Sequence, residues 1–347
     1  MMEAPSGGQV PVISGSFPVR RYSTNGSLQA PFWETVQAGL ESSAYTAPLT
    51  TSWAGTRTGV VSVDNLLVTD FSDRNWLADP YVFASIRIDT KSAPAPLVKA
   101  EYDRRLKAWR QENKAAHVPR DVRKDLKEQV TNDILAVTSA RTKVVDFVWN
   151  TNENWVTLGH LSDSVADLFV RTFSSSFGLA LTPWSPFGEE VPVDMPGDFY
   201  LWLWWQIENG DVPGVDAAWL DGKIVLKGRG SETTCTGEEV EKHPEPRTAI
   251  RSGKRPSVMK LKVSDKELEY AFTMNGPDLN ISSLKLPEGE TSSRVDREAS
   301  ILDRLGAYER LHEIVAGWAS RFKAFYNTKE YHEWVQNDLT PWLQPKD

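Results

Sequence analysis

LVKAEYDRRLKAWRQENKAAHVPRDVRKDLKEQVTNDILAVTSARTK, residues Leu97–Lys143, is the stretch on which the reading of the whole chain turns. Pro94 and Pro96 set an extended lead and tolerate a helix just after it, and Pro119 opens a second helix. Val98, Tyr102, Leu106 and Trp109 fall on one face of the first helix. Val122, Leu126, Val130, Ile134 and Val137 repeat in the second. Two narrow apolar stripes turned towards each other make an antiparallel helical hairpin with a mixed, net basic outer surface.

The charge of this stretch sets it apart. It holds twelve Lys and Arg against seven Asp and Glu, an excess of five in a chain of net charge −8, leaving −13 for the remainder. A basic limb on an acidic body attracts a polyanion locally while the body stays in solution.

Outward from the hairpin, the pattern changes to strands. Tyr81–Ile88 before it, and Thr142–Asn150 and Trp155–Leu161 after it, carry the β-branched and aromatic content of half-buried strands, so the hairpin reads as an insertion between strands of one sheet. Further upstream, Phe17–Tyr22, Thr58–Val63 and Asn65–Phe71 read as strands and Ala30–Leu40 as a short helix. Residues 1–15 read as a flexible lead. Downstream, Ser164–Phe173 is helical and Leu179–Thr182 a strand, and the proline-rich run Pro183–Pro196 marks a boundary.

The second half opens on Asp198–Ile207, apolar on nearly all sides. That is the mark of a buried helix rather than a base-stacking platform, which would interleave basic residues. Trp219–Lys227 is a hairpin-like strand region, Ser231–Pro256 a long polar loop, and Ser257–Val263, Leu268–Met274 and Ile281–Leu286 are strands. Ile301, Leu305, Tyr308, Leu311, Val315, Trp318 and Phe322 follow helical spacing to the end. The expected domains are a central sheet (16–92 with 143–185), the inserted hairpin (93–142) and a C-terminal α+β base (186–347).

Composition bounds the function. The chain has 347 residues, 40% apolar and 25% charged, the proportions of an ordinary soluble protein with two or three lobes. The N-terminus lacks the basic start and apolar core of a signal peptide, and no run reaches eighteen apolar residues, so a cytoplasmic protein without a membrane partner is expected. Cys235, the single cysteine, excludes an internal disulfide. The histidines are not spaced as metal ligands, no phosphate loop or nucleophile elbow occurs, and no metal or cofactor is called for.

Two enzymatic or structural alternatives stand beside nucleic-acid binding. Asp79 and Asp89, with Lys91 nearby, are the residue types of a metal-dependent nuclease. The charged helix faces are equally those of a protein-interaction scaffold without DNA affinity, since such faces are commonly only solvated. Phosphate-backbone binding requires Lys and Arg along a surface, without a spacing code.

The order of features from Ile86 to Trp149 is similar to that of the RdgC recombination-associated proteins: a strand, the Pro94/Pro96 turn, a charged helix, then Arg120–Val130 and a following strand. The similarity continues more faintly through Leu158–Pro186, the Gly222–Lys227 hairpin, Lys260–Leu286 and the final helices. It implies a horseshoe-shaped α+β subunit, multi-lobed, with mixed or antiparallel sheets and C-terminal helices. Two such subunits would pair head to head and tail to tail into a ring around duplex DNA, bind without sequence preference, oppose RecA-type recombinases and associate with the nucleoid.

On this resemblance the DNA-binding candidates are Arg120, Arg123, Lys124, Lys127, Arg141, Lys143, Lys227, Arg229, Lys260 and Lys262. Single-stranded DNA is a further possible partner. A homodimer contact is implied at Ile134, Val137 and Ser139. Ser139 departs from the family, which carries an aromatic there to help close the ring.

Overall fold

A computed structural model describes residues 16–26, 28, 30–228, 230–266, 268–285 and 294–344. The flexible lead expected over residues 1–15, and Arg229, lie outside these residues. The fold is α+β, built on a sheet of 12 strands. All pairs between the named strands are antiparallel.

β1 (Ser16–Asn25) lies at the centre of the sheet. To one side stand β6 (Trp155–Leu158), β5 (Arg141–Asn150), β4 (Tyr81–Lys91) and β2 (Gly55–Val61). To the other stand β12 (Asn280–Lys285), β11 (Leu268–Asn275), β10 (Arg255–Asp265), β8 (Ala217–Gly228) and β9 (Ser231–Thr236). The short β3 (Leu77–Ala78) and β7 (Ala180–Pro183) pair with β4 and β1. At the β2 edge, Ala44 bridges to Val60, and a Cβ on Gly59 would overlap the Tyr45 backbone, so glycine permits this close approach.

Alternation along the strands sorts their side chains between two cores on opposite faces. Tyr22, Val82, Ala84, Ile86, Phe147, Trp149, Val156 and Leu158 point into one core with α1 (Phe32–Ser42) and α4 (Asp163–Phe177). In α4 the four-residue spacing of Val165, Phe169, Phe173 and Phe177 stacks three rings, with centroids 5.7 and 4.7 Å apart, against Phe147 and Trp149. Gly178, at φ 65°, ends the helix.

The other core lies on the reverse face and runs from Tyr81, Phe83, Val148 and Trp155 through Val19 to Ile281, Phe272, Leu261 and Ile224. It is covered by α5 (Met195–Asn209) and α7 (Arg294–Phe325). In α5, Phe199, Tyr200, Leu201, Trp202, Leu203 and Trp204 are all buried, the all-round burial expected of this segment. One consequence governs the surface: the face carrying the first core has no core cluster over β8–β12 among the described residues.

The hairpin is where its sequence placed it. α2 (Ala95–Glu112) and α3 (Arg120–Val137) leave the sheet after β4 and return to β5, and these two strands pair directly, Tyr81 opposite Asn150 through Thr90 opposite Arg141. α2 buries no residue fully, and α3 buries Val130 and Leu135.

Three local expectations are corrected. Val137 is 84% exposed although it stands two turns beyond the buried Val130 on the same stripe; it is the last residue of α3, and at this end of the helix the buried residue is Leu135, on another side of the axis. Asn65–Phe71 is not a strand: the Asn65 side chain accepts the Leu67 amide at 3.0 Å and the Val68 amide returns to the Asn65 carbonyl, an Asx-type turn. Ser231–Pro256 is not one long loop but contains β9, a 3-10 turn and α6 (Pro244–Arg251), which buries Pro246, Ala249 and Ile250.

α7 brings His312 against Trp184, with ring centroids 4.5 Å apart, and leaves its Nε2 out of solvent with no partner among the described residues. Burial, then the Arg21 charge, push its pKa down to about 3. The unfolded chain protonates this group at about 6.5, so between those values it binds the proton that the fold refuses. This contribution to stability is therefore complete above the unfolded value and is lost as the pH falls. His312→Phe keeps a ring on Trp184, and the stability difference between wild type and variant is expected to move by roughly 1.4 kcal/mol per pH unit from about pH 6 to 4. Urea melts across that range check it; a constant difference would refute it.

Candidate nucleic-acid interface

In α3 the four basic candidates Arg120, Arg123, Lys124 and Lys127 stand at i, i+3, i+4 and i+7, one stripe of the helix. Asp121, Asp125 and Glu128 form a second stripe and Val122, Leu126 and Val130 a third, so the three chemistries are sorted around the axis. All four cations are exposed, and none is in an ion pair among the described residues.

Neutralisation falls on α2 instead. Glu101 accepts from Arg104 at 2.6 Å and Arg105 at 2.7 Å, and these bonds hold its carboxyl down at about 2. Arg105 also reaches across the hairpin to Asp133 at 2.7 Å. Two arginines and two carboxylates are thereby paired, and the excess of five positive charges is unchanged.

The candidates on strands share one feature that their spacing does not reveal. Arg141 and Lys143 alternate with Val144 and continue the face of Val145 and Phe147 in β5. In β10, Lys260 and Lys262 alternate with Met259, Leu261 and Val263, which belong to the reverse core, so both lysines lie on that same face. Lys227, one residue beyond Leu226, joins them. Five described candidates thus emerge on one side of the sheet.

They are not equally available. Arg141 is exposed, while Lys143 Nζ lies 3.4 Å from His160 Nε2. Burial, with the charges of Lys143 and Arg20, pushes the His160 pKa below its ordinary value. Lys227 faces Glu232 at 3.4 Å. Lys260 and Lys262 share one carboxylate, Asp221, at 2.7 and 3.3 Å, and their hydrogen bonds hold it below the usual carboxylate range. Of the implied dimer contacts, Val137 and Ser139 are exposed and Ile134 is half-buried.

Residues 77–193 match the family model described as "RdgC: Putative exonuclease, RdgC". This stretch belongs to the RdgC family. The match begins at β3, takes in β4, the hairpin, β5, β6, α4 and β7, and ends just before α5. It therefore contains the α3 stripe, Arg141 and Lys143, and every implied dimer contact. The RdgC family is one of recombination-associated proteins. No curated protein matches the chain.

The nuclease pair is not assembled by the fold. Asp79 is exposed before β4, whereas Asp89 is buried near its far end, so roughly 30 Å of extended chain separates them. Asp89 is already engaged by Arg87 at 2.7 Å and Tyr45 at 2.6 Å. Among the described residues no group of three or more His, Cys, Asp or Glu is placed to hold a metal ion. No described helix is long and apolar enough to cross a membrane.

Signals in α2 and β12 escaped the sequence reading. Lys99, Lys107, Arg110 and Lys114 are exposed cations of the hairpin, and Lys285 in β12 lies on the same sheet face as Lys260 and Lys262. The first four could have been found by carrying the charge count through to the site. Lys285 required the strand pairing.

Proposed function

We propose that this RdgC-related protein binds DNA without sequence preference through its phosphates, as a homodimer whose horseshoe-shaped subunits enclose the duplex, and opposes RecA-type recombinases at the nucleoid. The observation that carries this reading is the α3 stripe of four cations, unpaired among the described residues, supported by the cations gathered on one sheet face. Such a surface has no fixed geometry for reading bases and suits neutralisation of a regularly charged backbone.

A duplex titrated at several salt concentrations tests it: log affinity is expected to fall linearly and steeply with log salt. Absence of binding at low salt removes the reading. For the dimer, Val137→Glu is expected to change stability by less than about 0.5 kcal/mol, as an exposed site allows, while lowering the mass measured in solution towards one chain. A wild-type protein that runs as one chain at every concentration overturns the ring. The exonuclease named in the family description is a second reading, tested by incubating end-labelled linear duplex with protein and magnesium and following release of nucleotides.

A further inference from the structure

The open face of β8–β12 carries a feature that phosphate binding alone does not use. Trp219 in β8 is 50% exposed, and its indole makes no ring pair or hydrogen bond among the described residues. It stands directly opposite Lys262 in β10; Lys262 stands opposite Ala271 in β11, and Ala271 opposite Lys285 in β12. One row thus crosses four strands, aromatic at one end and cationic along its length, spanning about 14 Å at ordinary strand spacing. Ala271, half-buried and small, leaves the middle of the row low.

The neighbours decide what such a tryptophan can meet. Lys260 and Lys262 share the single charge of Asp221, so this pair keeps one net positive charge beside the ring, and Lys285 is exposed. A protein interface core is depleted in lysine and gathers apolar side chains around its aromatic anchor. Here the residues around the indole on its own face are Ala217 and Asp221 in β8 and Lys260, Lys262 and Ser264 in β10, with Glu269 and Ala271 beyond them in β11, none of them a large apolar side chain. A flat π-face beside cations is instead the combination that receives an unpaired base and its phosphate.

We propose that this row is a binding site for single-stranded DNA, in which Trp219 stacks on one exposed base while Lys262 and Lys285 neutralise neighbouring phosphates. The site rests on the DNA-binding reading above and adds a preference to it. A duplex keeps its bases stacked on one another, and releasing one costs a few kcal/mol, so duplex DNA gains nothing from the indole.

The test uses the full chain with two fluorescein-labelled probes, a short oligothymidine and a duplex of the same length, read by anisotropy at low salt. Trp219→Ala is expected to weaken oligothymidine binding about tenfold, the order set by one lost base stack, and to leave duplex affinity unchanged. Trp219→Phe retains most of the binding, and Lys262→Gln lowers the single-strand salt slope by about 0.7. Circular dichroism confirms that each variant is folded. An unchanged oligothymidine affinity in Trp219→Ala, with duplex binding intact, overturns this site and leaves the DNA-binding reading standing. Equal losses for both probes overturn the stacking role. Failure of the wild type to bind either probe removes both readings.

Discussion

A protein carrying Arg123→Gln, Lys124→Gln and Lys127→Gln is expected to bind duplex DNA about 500-fold more weakly than wild type at 0.1 M salt. The number follows from counterion release: each phosphate contact contributes about 0.9 to the slope of log affinity against log salt, so three contacts contribute about 2.7 log units at that concentration. The slope itself should fall by the same about 2.7. All three side chains are exposed and none is in an ion pair among the described residues, so the fold loses nothing that would mimic lost binding. Changing Lys260 and Lys262 to Gln should cost less, because Asp221 already engages both ammonium groups and leaves them less available to phosphates. A triple variant with an unaltered slope would place the DNA elsewhere on the molecule.

The second large effect concerns stability. Asp89→Ala is expected to destabilise the protein by about 3 kcal/mol, the lower end for breaking a buried ion pair by removing one partner. The Asp89 and Arg87 side chains are only 4% and 18% exposed, and Arg87 donates to both carboxylate oxygens, at 3.1 and 2.7 Å. Tyr45 adds its hydroxyl at 2.6 Å and holds the chain that covers the β2 edge. Burial pushes the Asp89 pKa up, but the hydrogen bonds from Arg87, Tyr45 and Thr142 outweigh it and leave the value depressed. This stability is therefore present above the unfolded carboxylate value of about 3.9 and drains away as the pH falls through the folded one. Urea melts at neutral pH measure the loss, and a change below about 1 kcal/mol would show that Arg87 finds another partner.

What could be seen in the sequence was what local chemistry controls. Pro94, Pro96 and Pro119 punctuate the hairpin, and strands of opposite periodicity flank it, so its insertion between β4 and β5 was visible before any pairing was known. The all-round apolar run of α5 was equally direct. Ser231–Pro256 misled because a helix of eight residues with prolines at Pro244 and Pro246 has poor intrinsic propensity and forms by burying Ala249 and Ile250. Asn65–Phe71 misled because its β-branched and apolar residues outweighed the Asn65 side chain that folds the turn.

The site divides in the same way. The α3 stripe was present in the spacing of Arg120, Arg123, Lys124 and Lys127. That Lys260 and Lys262 share a face with Arg141 and Lys143 was hidden, because it depends on β1 meeting β12, residues far apart in the chain. Nor does any run of charge reveal that Asp221 engages two of the candidates, or that Trp219 stands outside the aromatic core.

β1 has a mechanical consequence. One end of this strand is bonded to β12 and the other to β6 and β7, and no other named strand joins the two halves of the sheet. A load applied between the hairpin side and the β9 side must therefore pass through a single ten-residue strand and the core beneath Val19. Because the reverse core spans both halves while the first core lies under the hairpin side alone, the two sides of β1 are packed unequally, and the same load twists the strand as well as stretching it. The weakest point of that path is the ladder to β12, where the register slips between Phe17 and Val19 and only a short run of pairs holds the two strands.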